Sequence, residues 1–182
     1  MKSAEEIFEI LKIEFSDSIL ELDKDTPTES IISVDPLQIH QISKFLRENP
    51  GLQFDSLMCL SGVDDANGNK IKNADGDDVF ENGTMSVYYN LHSIPLKHKI
   101  TLKVTTPRTN PKIESVESIW KCANWHEREA FDLLGIYFLN HPDLRRILMP
   151  YDWDEFTTEV SRYPLRKDYK NPEFYQGMKV PY

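Results

Sequence analysis

The amino-acid sequence predicts an α+β fold: a mixed β-sheet with helices packed on one face, in a split βαβ-like plan, plus an extended C-terminal arm. Three features predict it. Apolar residues recur at helical spacing in three segments and alternate or run together in five others, in the order α-β-α-β-β-β-α-β. The excess acidic charge is confined to residues 1–140, which carry 14 basic and 23 acidic side chains, whereas residues 141–182 carry seven of each. That last segment is punctuated by Pro142, Pro150, Pro164, Pro172 and Pro181, between Tyr151, Trp153, Phe156, Tyr163, Tyr169, Phe174, Tyr175 and Tyr182. The division is therefore a globular domain at 1–140 and an arm at 141–182 whose aromatic and arginine content suits a partner surface.

Ser3 followed by Glu6 is a capping-box pattern, and Ala4, Ile7, Phe8, Leu11 and Phe15 then follow at helical spacing, so a helix spans about 3–15. Ser30–Val34 reads as a short strand. Asp35 is placed to cap a second helix with Pro36 at its first position, Ile39, Ile42, Phe45 and Leu46 as its apolar stripe, and Asn49-Pro-Gly51 as its stop. Phe54–Val63 is nearly continuously apolar and reads as a central strand covered on both faces. Residues 64–83 are rich in Gly, Asn and Asp. A calcium loop starting at Asp65 would need Gly at Lys70 and Glu at Gly76, and one starting at Asn73 would need Gly at Asp78 and Glu at Thr84, so the segment reads as a solvated loop. Met85, Val87, Tyr89 and Leu91, then Ile100, Leu102 and Val104, alternate as a hairpin. Ser115 opens a helical region to Leu134, with room for a break near Asn124 and with Gly135 as its stop. Residues 136–138 form a short strand, and 140–150 a short helix ended by Pro150.

With 182 residues, 40% hydrophobic and 28% charged, the chain is long enough for one substantial core and is no disordered polymer. A net charge of −9 without a clustered basic face argues against nucleic acid. No apolar run approaches the roughly 20 residues of a membrane span, and the acidic amphipathic start reads as neither a secretory signal nor a transit peptide. Cys59 and Cys122 are too few for a four-thiolate cluster or zinc site; one disulfide is conceivable, and reduced core thiols are the favoured reading.

The unusual chemistry lies at 125–169. On a helix Trp120, Ala123, Glu127, Phe131 and Leu134 share a face, so Glu127 interrupts an apolar stripe. It is then either a general acid of raised pKa or one half of a buried ion pair that locks the helix to another segment, the second being favoured. Arg128 and Asp132 are spaced to pair, at no more than about 0.5 kcal/mol. Of the neighbours Arg145 and Arg146, one can turn inward to meet Glu127 while the other stays outside; two solvated arginines is the plainer alternative. His126-Glu127 fails as a zinc-protease start because Ala130 stands where the second His belongs, and His40, His92, His98, His126 and His141 have no ligand spacing. No catalytic residue is assigned. An independent enzyme using Glu127, Asp132, His126 and His141 as acid and base groups is the alternative reading.

The ordered run EREAFDLLGIYFLNHPDLRRIL at 127–148, followed by YPLRKDY at 163–169, resembles the 30 kDa subunit of respiratory complex I, the bacterial NADH:quinone oxidoreductase. Between Asp152 and Pro164 the chain departs from that pattern: it is a few residues longer and lacks the family's Gly-His. The resemblance implies a peripheral-arm subunit binding no cofactor itself, beside the quinone-site (49 kDa or D) subunit and neighbouring iron–sulfur subunits. FMN, Fe–S clusters, NADH and quinone then belong to the complex, which sits on the cytoplasmic side of the bacterial inner membrane and translocates protons. Equivalent subunits of energy-converting hydrogenases or deazaflavin-dependent dehydrogenases are the alternative within the same resemblance. The aromatic and arginine content of the last segment makes His141, Asp143, Tyr151, Trp153, Tyr163, Pro164, Leu165, Arg166, Lys167, Asp168 and Tyr169 the partner-interface candidates.

Overall fold

Both halves of the predicted capping box form. Glu6 N–H donates to the Ser3 hydroxyl (3.3 Å) and Ser3 N–H to the Glu6 carboxylate (2.8 Å), opening helix α1 (Ala4–Phe15). These atoms come from a computed structural model that describes residues 1–26, 29–74 and 76–180; Pro181 and Tyr182 of the aromatic tail lie outside the described residues. The chain continues as β1 (Ile19–Asp23), β2 (Ile31–Val34), α2 (Ile39–Glu48), β3 (Ser56–Asp64), β4 (Asn69–Lys72), β5 (Asp78–Glu81), β6 (Thr84–Ser93) and β7 (His98–Pro107). It closes with β8 (Lys112–Glu114), α3 (Ala123–Leu134), β9 (Tyr137–Leu139) and a small hairpin of β10 (Phe174–Tyr175) and β11 (Met178–Lys179).

The main sheet has the order β1-β2-β7-β6-β3 and is mixed, with β2 and β7 parallel and the other pairs antiparallel. Val87, Tyr89 and Leu91 of β6 and Ile100, Leu102 and Val104 of β7 are buried under the helices, whereas Lys99 and Thr105 face solvent. Ile7 and Leu11 of α1, Ile39, Ile42 and Leu46 of α2, and Ala123, Ala130 and Leu134 of α3 complete this core. The α+β class with a mixed sheet is what the periodicities predict.

Several elements differ from the sequence expectation. β3 is an edge strand with only β6 beside it, and its apolar run divides between buried Leu57 and Leu60 and exposed Met58 and Val63. β1 escapes the pattern because it is the opposite edge, bulged between Ile19 and Glu21, with Leu20 exposed. The solvated excursion at 64–83 contains the β4–β5 hairpin, whose side chains are mostly exposed, so no periodicity marks it. Asp35 does accept the Leu37 N–H (2.7 Å), but Pro36 opens a turn and α2 starts at Ile39. Residues 115–122 are turns rather than helix, and no helix forms at 140–150.

The greatest difference concerns the arm. Rather than extending away, its described part folds back on the domain: Leu165 N–H donates to the Leu133 carbonyl (3.0 Å), Lys167 N–H to the Asp64 carboxylate (3.0 Å), and Asp168 pairs with Arg108. Within the arm, Trp153, Val160 and Ser161 are themselves buried. Ionic contacts hold the arm, together with apolar packing. Arg108 and Asp64 are buried, and groups from 163–170 complete their hydrogen bonding.

Candidate functional site

Helix α3 ends at Gly135, which sits in the left-handed region (φ 78°) and donates its N–H to the Phe131 carbonyl (2.9 Å). A Cβ at this position would stand 2.6 Å from Cζ of Tyr163 and 2.9 Å from a guanidinium nitrogen of Arg166, so the residue is constrained by its neighbours as well as by its backbone. Arg166 Nε donates to the Leu134 carbonyl (2.8 Å) and its guanidinium stacks 4.4 Å from the Tyr163 ring centre. With the Leu165–Leu133 bond, the Tyr163–Arg166 segment thus binds carbonyls of the last turn that the helix leaves without internal partners.

Beside it lies a buried ion network. Arg108 reaches Asp64 through Nε and Nη2 (3.2 and 3.1 Å) and Asp168 through Nη2, with both carboxylates almost fully covered. Burial opposes ionisation of Asp64, but Arg108 together with the N–H groups of Lys167 and Ala66 outweighs it and holds the carboxyl below its ordinary pKa.

A second centre is Asp132. Its carboxylate accepts Arg146 Nη1 (2.7 Å) and the backbone N–H groups of Ile147, Leu148 and Met149 (2.9, 2.7 and 2.9 Å), shaping the 146–149 loop. Burial again opposes ionisation, and the Met149 N–H, Arg146 and the other two N–H groups overcome it, lowering the pKa. Arg146 also meets Asp154 (2.6 Å), which pairs with Arg162 (3.1 Å).

The predicted partners are therefore exchanged. Arg128 does not pair with Asp132; its Nε donates to the Arg145 carbonyl (3.2 Å) and its guanidinium lies over Trp125. Arg146 does turn inward, but to Asp132, five residues beyond Glu127 on α3, while Arg145 stays exposed with Asp143 (2.9 Å). Among the described residues no Lys or Arg pairs with Glu127. It accepts the Ser115 hydroxyl (2.6 Å) and the Val116 N–H (2.8 Å), tying α3 to the turn after β8. Burial pushes its pKa up to about 7, against the pull of those two donors. The His141 Nε2 is 3.9 Å away; Asp143 N–H donates to His141 Nδ1 (3.0 Å), leaving Nε2–H toward the Asn124 carbonyl, and burial first of all lowers the His141 pKa. A buried carboxyl bonded to its own fold is suited to holding a turn, not to meeting a substrate.

Of the interface candidates, Asp143, Tyr151, Leu165 and Lys167 are exposed, Tyr151 almost completely at 97%. His141, Tyr163, Pro164, Arg166, Asp168 and Tyr169 are half-buried, and Trp153 is buried with its indole N–H on the Arg162 carbonyl. Sequence reasoning missed Arg108 and Asp64, which sit at strand ends without a distinguishing pattern, and the exposed Trp125 and Leu148. The two thiols do not fit an iron–sulfur cluster, since Cys59 and Cys122 supply two ligands of the four required, and among the described residues no three His, Cys, Asp or Glu side chains converge on a metal position.

Comparison with known proteins converges on one family. The family model for the respiratory-chain NADH dehydrogenase 30 kDa subunit matches residues 32–175. The C-subunit of the NADH-quinone oxidoreductase of Chloroherpeton thalassium is 42% identical over 178 residues, covering 96% of this chain and 64% of that protein. The corresponding protein of Chlorobium phaeobacteroides is 38% identical over 183 residues, covering 100% and 98%. The chain thus spans just under two thirds of the first relative and nearly all of the second. Two solved structures share the fold: a trypsin-resistant fragment (1–134) of Nqo5, with TM-score 0.52 and 21% identity over 77% of this chain and 98% of that one, and a chain of an archaeal membrane-bound sulfane sulfur reductase, with TM-score 0.56 and 18% identity over 91% and 85%.

Proposed function

This chain belongs to the 30 kDa subunit family of respiratory-chain NADH dehydrogenase, a component of NADH-quinone oxidoreductase, and from that premise we propose that it serves as a cofactor-free organiser of the peripheral arm. The observation that carries the reading is the match to the Chlorobium phaeobacteroides protein along all of this chain and 98% of that one. In this reading electrons pass from NADH through flavin and iron–sulfur centres to quinone in other subunits, and this chain holds those neighbours in register. The quinone-site subunit is the proposed principal partner, met through the exposed part of 141–169. Attachment to the membrane is through the complex, on the cytoplasmic side where NADH is available; among the described residues no helix is long and apolar enough to cross a bilayer.

The buried carboxylates support a structural role. Glu127, Asp132, Asp64 and Asp168 are each engaged by the chain's own donors, which leaves the surface features for contact with partners. The test is to purify a tagged copy from detergent-solubilised membranes. The expected result is co-purification of flavin- and iron–sulfur-bearing subunits with NADH:quinone reductase activity. Recovery of the tagged chain alone, with that activity intact in the depleted extract, would contradict the reading.

A further inference from the structure

Next to the Gly135 turn lies a cleft of about 510 Å³ whose walls carry Lys112, Arg162 and Arg166 together with Tyr137 and Tyr163 and, among the described residues, no carboxylate. In a chain of net charge −9 this is a local inversion of sign. The arginines nearby are matched: Arg108 to Asp64 and Asp168, Arg146 to Asp132 and Asp154, Arg162 to Asp154. Arg166 is not. Among the described residues no carboxylate is hydrogen-bonded or ion-paired to it, although Asp168 and Asp64 attract it electrostatically and Arg108 repels it. One nitrogen is spent on the Leu134 carbonyl and the plane is held by stacking on Tyr163, so the guanidinium is fixed in orientation and half-buried at the Gly135 wall. A desolvated, oriented guanidinium with remaining donors is suited to a planar anion received edge-on.

We propose that this cleft is a socket for the carboxylate of an Asp or Glu side chain on a neighbouring subunit, received by Arg166 with Lys112 and Arg162 at its rim. The proposal rests on the family reading above, since it needs an assembly to supply the partner. The negative end of α3 at Gly135, which lines the cleft, opposes a phosphate dianion more strongly than a single carboxylate charge. The aromatic rings of Tyr137 and Tyr163 supply the apolar walls that shield such a pair from water.

The test compares intact complex carrying the wild-type chain, Lys112→Glu or Lys112→Gln. Lys112 is exposed and contributes its backbone N–H to Thr106 and its strand to β9, so unchanged thermal unfolding of the full chain is expected. The KCl concentration for half-release of the subunit should fall about two-fold in Lys112→Glu and less in Lys112→Gln. Tyr137, 48% exposed in the free chain, should be protected from hydroxyl-radical oxidation in the complex. Unchanged release in both variants with Tyr137 protected overturns the socket and leaves the interface reading standing. Equal oxidation of Tyr137 in free and assembled chain likewise overturns the socket, and leaves standing the proposed contact through 141–169, which does not include Tyr137. Protection of Tyr137 in the free chain by inorganic phosphate assigns the cleft to a phosphate ligand and overturns the proposal.

Discussion

Glu127 illustrates how a single buried carboxyl sets a pH dependence. Its pKa is raised from 4.5 to about 7, so the folded state holds a proton that the unfolded chain releases near 4.5. Stability from this group is complete below about pH 4.5, declines as pH rises toward 7, and is flat above; the full loss is about 3 kcal/mol. Glu117, Tyr89 and His141 are the other titratable groups around it, and Glu117 adds to the upward shift. The variant Glu127→Gln keeps an acceptor for the Val116 N–H and removes the titration. Urea unfolding of the two full chains at pH 5 and pH 7.5 should show the wild type losing about 2 kcal/mol relative to the variant between those values. Parallel pH profiles would refute this account of the residue. That Glu127 interrupts an apolar face was legible from its spacing alone. Its real donors were not, because Ser115 and Val116 lie in a turn whose path depends on the parallel pairing of β8 with β9.

At the scale of elements, the backward fold of the C-terminal segment is held by ionic contacts as much as by apolar packing. Replacing Asp168 with Ala removes one partner of the buried Arg108 and should cost about 3 kcal/mol, against no more than about 0.5 kcal/mol for the exposed Lys72→Ala. A double-mutant cycle of Arg108→Leu and Asp168→Ala, read by chemical denaturation, should give a coupling of about 1–3 kcal/mol; additive costs would show that the pair does not couple. Elements with strong local codes were readable: the Ser3–Glu6 box, the alternation of β6 and β7, the Gly135 stop. Those fixed by distant partners were not. β1 and β3 gain their edge positions only from sheet order, and Trp153, expected as an interface residue, is buried because its indole reaches the Arg162 carbonyl. The same holds for Arg146, whose inward turn was foreseen but whose partner was set by the way Asp132 gathers the 146–149 loop.

For the whole molecule, an acidic domain with a mixed sheet carries a C-terminal strap bound by its own buried charges and leaves Trp125, Leu148, Tyr151, Leu165 and Lys167 exposed, which supports the proposed contact with neighbouring subunits. The fold class and family were legible from the order of periodicities and from the 127–148 and 163–169 runs; the closed course of the strap needed the three-dimensional pairing of Asp64, Arg108 and Asp168. The most direct measurement is amine cross-linking of the intact membrane complex followed by peptide mass spectrometry. The account predicts links from Lys167 and Lys170 to the quinone-site subunit; links from these lysines only to other positions of their own chain would contradict it.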